Sequence, residues 1–301
     1  MKIFITIIRI LLGFVFLCSA CFKLISADEF ELYIYSHNIL SLNLSIVAAR
    51  LVIGFEFFIG LMLIINIYSK QIWYISVITL FIFTIYLAIV AISGNTDNCH
   101  CFGEILRMTP LESIIKNIIL LALFLPLRKE SGYNFKYKIP VTVIVFLIGF
   151  SIPMIVSPPD FLFSEKYAEM AVVNEDGFET IIFNNEDFPI DLTKGKRVVC
   201  FYSPSCRFCR LSEKKTSSMI VRNDLAVDSF VNIFWGNPEE LDQFYSDNSI
   251  SYQQTFIPMM DFFKITEGKM PLILLVEDGK IVEKFGYRGI DEKIIVSFLS
   301  E

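Results

Sequence analysis

The sequence predicts two parts: an all-α bundle of membrane-spanning helices, residues 1–157, and an α/β domain preceded by a linker, residues 158–301. Two observations separate them. The chain is 54% hydrophobic and 19% charged, against about 45–50% and about 25% in ordinary globular proteins, and the excess apolar residues lie almost wholly before residue 157. Charge divides at the same place. Residues 1–157 hold 11 Lys+Arg and 8 Asp+Glu, net +3, while the remainder holds 15 and 24, net −9. A single water-soluble domain is excluded. No basic surface suggests nucleic acid.

Five apolar runs, about 3–25, 44–68, 71–93, 113–127 and 139–157, are long enough or nearly so to cross ~30 Å of hydrocarbon at ~1.5 Å per residue. The third and fifth carry no charge, and the fourth is short and contains Lys116. Lys and Arg in short loops set orientation. Lys2, Lys70, Arg128, Lys129, Lys136 and Lys138 fall on one side, and Arg107 alone falls in the opposite loops, with Lys23 and Lys116 at their borders. The expectation is a multi-pass protein of the cell (inner) membrane, embedded in the lipid bilayer, with a cytoplasmic amino terminus and an extracytoplasmic carboxyl half. The run Leu17–Cys21 also fits a lipoprotein-type processing site, but apolar residues continue past it and favour a span.

Charge inside hydrocarbon costs at least ~2.5 kcal/mol per group and needs a reason. Arg9 and Glu56, counted from the ends of their spans, land at similar depth in the inner half. The expectation is an ion pair joining the first two spans, with a quinone or proton site as the alternative.

The seven cysteines carry the most information. From residue 196 the chain reads K-R-V-V-C-F-Y-S-P-S-C-R-F-C-R-L: a β-type run, a turn, then a helical pattern opening on C-x-x-C. A thiol at a helix start faces unpaired N–H groups and the positive end of the dipole, which favour thiolate. Cys206 is therefore the expected nucleophile, with Arg207 and Arg210 adding charge, and Cys209 is one turn on, placed to resolve a mixed disulfide. No second ligand pair follows, and the chain has two histidines, so redox chemistry is favoured over a metal site. Further strands are read at 231–235, 272–276 and 281–286, the last two joined by a turn at 277–280, with helices at 238–246 and 291–299.

From about residue 165 this resembles the thioredoxin fold, by its strand–CxxC–helix unit and by Pro271. The resemblance implies that Pro271 is the cis-proline beside the active site and that Met270 offers its backbone to a bound substrate chain. Ser205, Arg207, Phe208 and Cys200 depart from the usual family residues. Cys200 stands where thioredoxins keep a buried Asp.

In the membrane half, Cys99 and Cys101 lie on the outer side in N-C-H-C-F-G, and Cys18 and Cys21 share a helix face near the outer end of the first span. All seven cysteines fall where disulfides persist. Residues 5–127 resemble the DoxX and MauE-like redox-associated membrane proteins, through Arg9-Ile10-Leu11-Leu12-Gly13, Glu56 with Gly60, Cys99-His100-Cys101-Phe102-Gly103, Thr109-Pro110-Leu111-Glu112, and Lys116-Asn117. His100 replaces the usual glycine. This resemblance implies a four-helix core and a redox role without a particular substrate.

Together these features lead to the expectation of a membrane-anchored thiol–disulfide oxidoreductase. Cys206 and Cys209 exchange with thiols or disulfides of extracytoplasmic client proteins, and Cys99/Cys101, then Cys18/Cys21, relay electrons toward a membrane quinone. No covalently bound cofactor and no metal is expected. The cysteine-free inner loops offer no inner electron source, which favours oxidation of clients or dependence on a partner. Two alternatives stay open: an anchored biogenesis factor for one exported protein, and a subunit of a quinone-linked sulfur-compound oxidoreductase. The topology has a direct check. A periplasmic reporter fused after Glu301 is expected to be active and a cytoplasmic one inactive; the reverse overturns the orientation.

Overall fold

The computed structural model describes residues 2–92, 98–99, 101–104, 106, 108–134, 136–182, 190–245 and 250–300. Expectations resting on His100 and Arg107 lie outside them. The chain forms two compact units, Met1–Pro159 and Asp160–Glu301.

The first unit is built from α1 (Lys2–Ile25), α2 (Ala27–Ser36), α3 (Leu42–Ile65), α4 (Ser69–Ile92), the short strand β1 (Cys101–Glu104), α5 (Pro110–Phe124) and α6 (Lys138–Val156). Five of these helices are long and apolar enough to cross a membrane, α5 counting its 3₁₀ continuation to Lys129. The start of α5 is fixed by a capping box. The Thr109 hydroxyl accepts the Glu112 N–H at 3.3 Å, and the Glu112 carboxylate accepts the Thr109 N–H at 2.8 Å.

Close approach depends on small residues, as expected where lipid offers no hydrophobic drive between helices. A Cβ on Gly13 would lie 2.9 Å from the Gly60 carbonyl, and one on Gly60 equally close to the Gly13 carbonyl. The same holds at 3.1 Å for Gly54 and Gly149. The first pair joins α1 to α3, and the second lays α6 on α3. Helices α1, α3, α4 and α5 surround one core that includes Leu12, Phe16, Ile59, Leu80, Leu120 and Phe124.

The expected Arg9–Glu56 pair does not form. With Gly13 against Gly60, Arg9 stands level with the C-terminal end of α3, and its guanidinium reaches the Leu63 and Ile64 carbonyls and the Glu130 carboxylate, the last at 3.1 Å. Glu56 lies about eight residues back along α3, or ~12 Å, opposite Lys23, whose ammonium is 2.7 and 2.9 Å from its two oxygens. Counting from span ends misplaced the register because α1 starts well beyond the level at which α3 ends. The third buried pair, Arg50 with Glu31, ties α2 to α3. Sequence reading took residues 26–43 as a loop; ten residues with three acids gave too short a period to show α2.

The second unit opens on a 3₁₀ turn at Asp160–Phe163 and α7 (Ser164–Met170). The linker expected after residue 157 is therefore mostly helical. The 3₁₀ turn is pinned by Asp160, which accepts from Arg288 at 2.6 Å and lies 3.7 Å from Lys215. There follow α8 (Glu175–Ile182), β2 (Lys196–Tyr202), α9 (Arg207–Asn223), β3 (Phe230–Phe234), α10 (Leu241–Phe244), β4 (Gln253–Phe256), α11 (Met259–Thr266), β5 (Leu272–Glu277), β6 (Lys280–Phe285) and α12 (Glu292–Ser300). The sheet order is β4-β3-β2-β5-β6, with β2, β3 and β4 parallel and β5 and β6 antiparallel to their neighbours. A βαβ unit followed by a β-hairpin and a closing helix is the thioredoxin fold.

Edge strand β4 and helix α11 were absent from the sequence reading, since four half-exposed residues and eight residues of helix give little periodicity. The expected turn before β6 is present. Asp278 and Gly279 both take positive φ, 48° and 84°, as a two-residue hairpin loop requires. On one face of β2, Val199 and Phe201 join the core with Phe178, Ile233, Phe262 and Leu274.

The Lys23–Glu56 pair gives a stability test. Glu56→Gln leaves a buried ammonium without its counter-charge, and the expected cost is about 3–5 kcal/mol, whereas the paired change Lys23→Met with Glu56→Leu recovers most of it. Thermal unfolding of the detergent-purified full chain reads the difference; equal midpoints for wild type and Glu56→Gln would sink the assignment.

Candidate functional site

Each unit holds one pair of thiols in which hydrogen bonding divides the partners. In the second unit, β2 ends at Tyr202 and the chain turns so that the Cys206 N–H meets the Ser203 carbonyl at 3.0 Å. Cys206 is the N-cap of α9, and its sulfur accepts the Cys209 N–H at 3.4 Å. Cys206 is half-buried and Cys209 fully buried. The Cys206 thiol is lowered to about 6 by the hydrogen bond from the Cys209 thiol, then by the N–H groups of Cys209 and Phe208 and the charge of Arg210, against the opposing effect of burial. Burial and the neighbouring Cys206 push Cys209 upward.

Of the two arginines, Arg210 has the larger charge effect on Cys206, while Arg207 lies over the Phe208 ring at 5.7 Å. The Met270-Pro271 peptide is cis. Leu272 pairs with Phe201, so Pro271 and Met270 sit at the end of the sheet from which Cys206 emerges. Cys200, on the α9 side of β2, is pushed up to about 12 by burial. It is an inert core thiol.

Sequence reading missed two charged residues inside this unit. Glu213 and Lys215 are each 1% exposed, although α9 reads as an ordinary polar helix there. The Glu213 carboxylate accepts the Tyr252 hydroxyl at 3.1 Å, and the Lys215 ammonium lies 4.0 Å over the Tyr287 ring. Tyr287 packs in turn on Phe208, ring centroids 5.3 Å apart. Both charges thus hold the helix that carries the cysteines, and only a buried-face count for α9 could have flagged them.

In the first unit, Cys99 and Cys101 border a cavity of about 350 Å³. Its walls are mainly apolar and aromatic, and Ser19, Lys23, Glu56, Lys116 and Asn117 converge on it. The β1 segment is held against α1 by the Ser19 hydroxyl, which donates to the Cys101 carbonyl at 2.9 Å. Gly103 takes φ +59°, where a Cβ would collide with the Ser26 hydroxyl and the Phe22 carbonyl. Cys99 is 2.9 Å from the Ser113 hydroxyl. The Cys101 thiol is lowered to about 6 by the hydrogen bond from Cys99, opposed by burial and aided by the charges of Lys116 and Lys23. Cys99 moves the other way, raised by that same bond and by burial. Lys116 lies 4.5 Å over the Phe102 ring, and Asn117 donates to Thr84 at 3.2 Å.

The structure brings Glu56, Lys116, Asn117, Cys99 and Cys101 to one cavity. It does not bring Arg9, Cys18 or Cys21 there. Cys18 and Cys21 share an exposed face of α1, turned away from the buried Ser19 and Lys23. Ser19 and Lys23, four residues apart on a helix otherwise almost wholly apolar, were the readable signal for this site.

Residues 1–127 match the family of methylamine utilisation protein MauE. The resemblance read from the membrane half is thereby supported on a family model. Among curated proteins, Protein TlpB of Flavobacterium psychrophilum is 25% identical over 305 residues, covering 85% of this chain and 83% of its own. No solved structure matches. The chain is a multi-pass membrane protein with a MauE-like helical half and a thioredoxin-fold domain.

The thiol assignment has a direct test. Alkylation of the reduced full chain is expected to label Cys206 before Cys209 or Cys200, with a midpoint near pH 6. Below it the unreactive thiol dominates and above it the thiolate. Cys209→Ala removes the largest cause of the lowering, so the midpoint moves upward; Arg210→Ala moves it upward less. Mass spectrometry of labelled peptides reads all three, and first labelling of Cys209 or Cys200 overturns the roles.

Proposed function

We propose that this protein oxidises thiols of extracytoplasmic client proteins and passes the electrons through its membrane half to a quinone. One observation carries the reading: an accessible, readily ionised Cys206 at a helix start, backed by a buried Cys209 that stays protonated. The Lys/Arg distribution supports an outward-facing domain, and the cysteine-free inner loops favour oxidation over reduction.

In the first step a client thiolate attacks Sγ of Cys206 in the Cys206–Cys209 disulfide and Cys209 departs, gaining a proton. The client's second thiol attacks the mixed disulfide at the client sulfur. A client disulfide forms, and Cys206 and Cys209 leave reduced by two electrons. Next the Cys206 thiolate attacks the Cys99 sulfur of a Cys99–Cys101 disulfide. Cys101 leaves as thiolate, the better leaving group of the two because its thiol is the more acidic. Cys209 then attacks Cys206, restoring the first disulfide, and its proton ends on Cys99.

A membrane quinone would supply the two-electron sink. The residues fit such a group: the cavity is of small-ligand size, its walls are mainly apolar, and Lys116 and Asn117 line it together with Cys101 as donors suited to carbonyl oxygens. Cys18 and Cys21 have no role in this scheme.

Cys209→Ser tests the reading in cells. Client proteins should accumulate as mixed disulfides on Cys206, and Cys206→Ser should capture none. In the same background an internal disulfide should appear as a mobility shift on non-reducing gels and vanish when Cys99 and Cys101 are replaced. Absence of captured clients overturns the oxidase reading. A shift that persists without Cys99 and Cys101 leaves the membrane half as an anchor for a biogenesis factor.

A further inference from the structure

We propose that His37 and Tyr86 form a proton path into the cavity, supplying the proton consumed when a quinone oxidises Cys99 and Cys101. This rests on the quinone reading above and adds to it the residues that complete the proton balance.

The hydrogen-bond directions follow from the contacts. His37 caps the C-terminus of α2, and its Nδ1 lies 2.6 Å from the Tyr33 carbonyl oxygen. A carbonyl only accepts, so Nδ1 carries the hydrogen. Nε2 of the neutral ring then holds a lone pair, 2.8 Å from the Tyr86 hydroxyl, which must donate to it. The Tyr33 ring packs edge-on against Tyr86, with centroids 6.4 Å apart. His37 and Tyr86 both line the cavity that Cys99 and Cys101 border. His37 itself is half-buried between exposed Ser36 and Asn38, so its end of the path meets solvent.

The stoichiometry requires such a path. Reducing a quinone to a quinol takes two electrons and two protons. Forming the Cys99–Cys101 bond releases two electrons, but with Cys101 ionised it releases one proton, that of Cys99. One more must come from outside. A proton bound at Nε2 of His37 turns that atom from acceptor to donor. It passes to the Tyr86 oxygen as the Tyr86 hydrogen enters the cavity. The O–H bond broken is replaced, and rotation of the hydroxyl resets the pair. The other cations lining the cavity suit the task poorly. Lys116 and Lys23 favour the Cys101 thiolate by their charge, and Lys23 is already bonded to Glu56.

The test uses the full chain in lipid nanodiscs, reduced and then mixed with a short-chain ubiquinone analogue. Formation of the Cys99–Cys101 disulfide is followed by alkylation and mass shift. Tyr86→Phe and His37→Ala are each expected to slow it about 100-fold, within the usual range for lost proton transfer, and added imidazole is expected to restore His37→Ala. A second readout needs no quinone. Nitrogen NMR should show His37 as the Nδ1–H tautomer, with Nε2 shifted in Tyr86→Phe. If the wild type forms no Cys99–Cys101 disulfide with the quinone, the quinone reading falls and the path with it. If the wild type reacts but both variants match its rate, or imidazole leaves His37→Ala slow, or His37 is the Nε2–H tautomer, the path alone is overturned.

Discussion

The membrane half is organised by the cost of placing charge in hydrocarbon. Lys23 cannot stay charged there without a partner, and Glu56 is the partner the fold provides. Meeting it requires α1 and α3 to lie in one register, and the facing Gly13 and Gly60 let the two backbones close to the required distance. The same ammonium bonds the Ser19 hydroxyl at 2.7 Å, and Ser19 in turn holds the Cys101 carbonyl. One ion pair therefore fixes a helix interface and also the segment carrying the thiols. Arg9 with Glu130 and Arg50 with Glu31 repeat the device toward the two ends of the bundle.

The two thiol pairs solve one electrostatic problem by different means. Cys206 relies on a helix start, where backbone N–H groups and Arg210 face a sulfur open to solvent. Cys101 lies in a short strand without a helix start, and two ammonium groups take that part. In both pairs one cysteine donates to the other, Cys209 to Cys206 and Cys99 to Cys101, so one proton is shared and the partners part in acidity. Such a pair presents one thiolate for attack and keeps one thiol in reserve.

Much of this was legible in the sequence, because it depends on local patterns. Five spans, the strand–turn–helix around Cys206 and the Asp278-Gly279 hairpin are each written within one short stretch of chain. Where a reading needed the register between distant segments, it failed. Arg9 and Glu56 seemed level because depth was counted along each helix separately, and the offset set by Gly13 and Gly60 is invisible in either span alone. Cys18 and Cys21 were grouped with the loop cysteines by depth, but their direction about the α1 axis places them on the opposite side from Ser19 and Lys23. Glu213 and Lys215 look like solvated residues until β2 and the segment around Asp160 are packed against them.

The acidities of the two pairs bear on the direction of electron flow. A reduced pair whose thiolate is stabilised gives up electrons reluctantly, so its disulfide is the stronger oxidant. Cys206 and Cys101 are both lowered to about 6 from 9.0, which favours the reduced form of each pair and supports the proposed oxidation of clients. On the proposed reading, Lys23 and Lys116, whose charges favour the Cys101 thiolate, stand at the same cavity as its apolar walls, and that juxtaposition is the physical argument for a route that ends in the membrane.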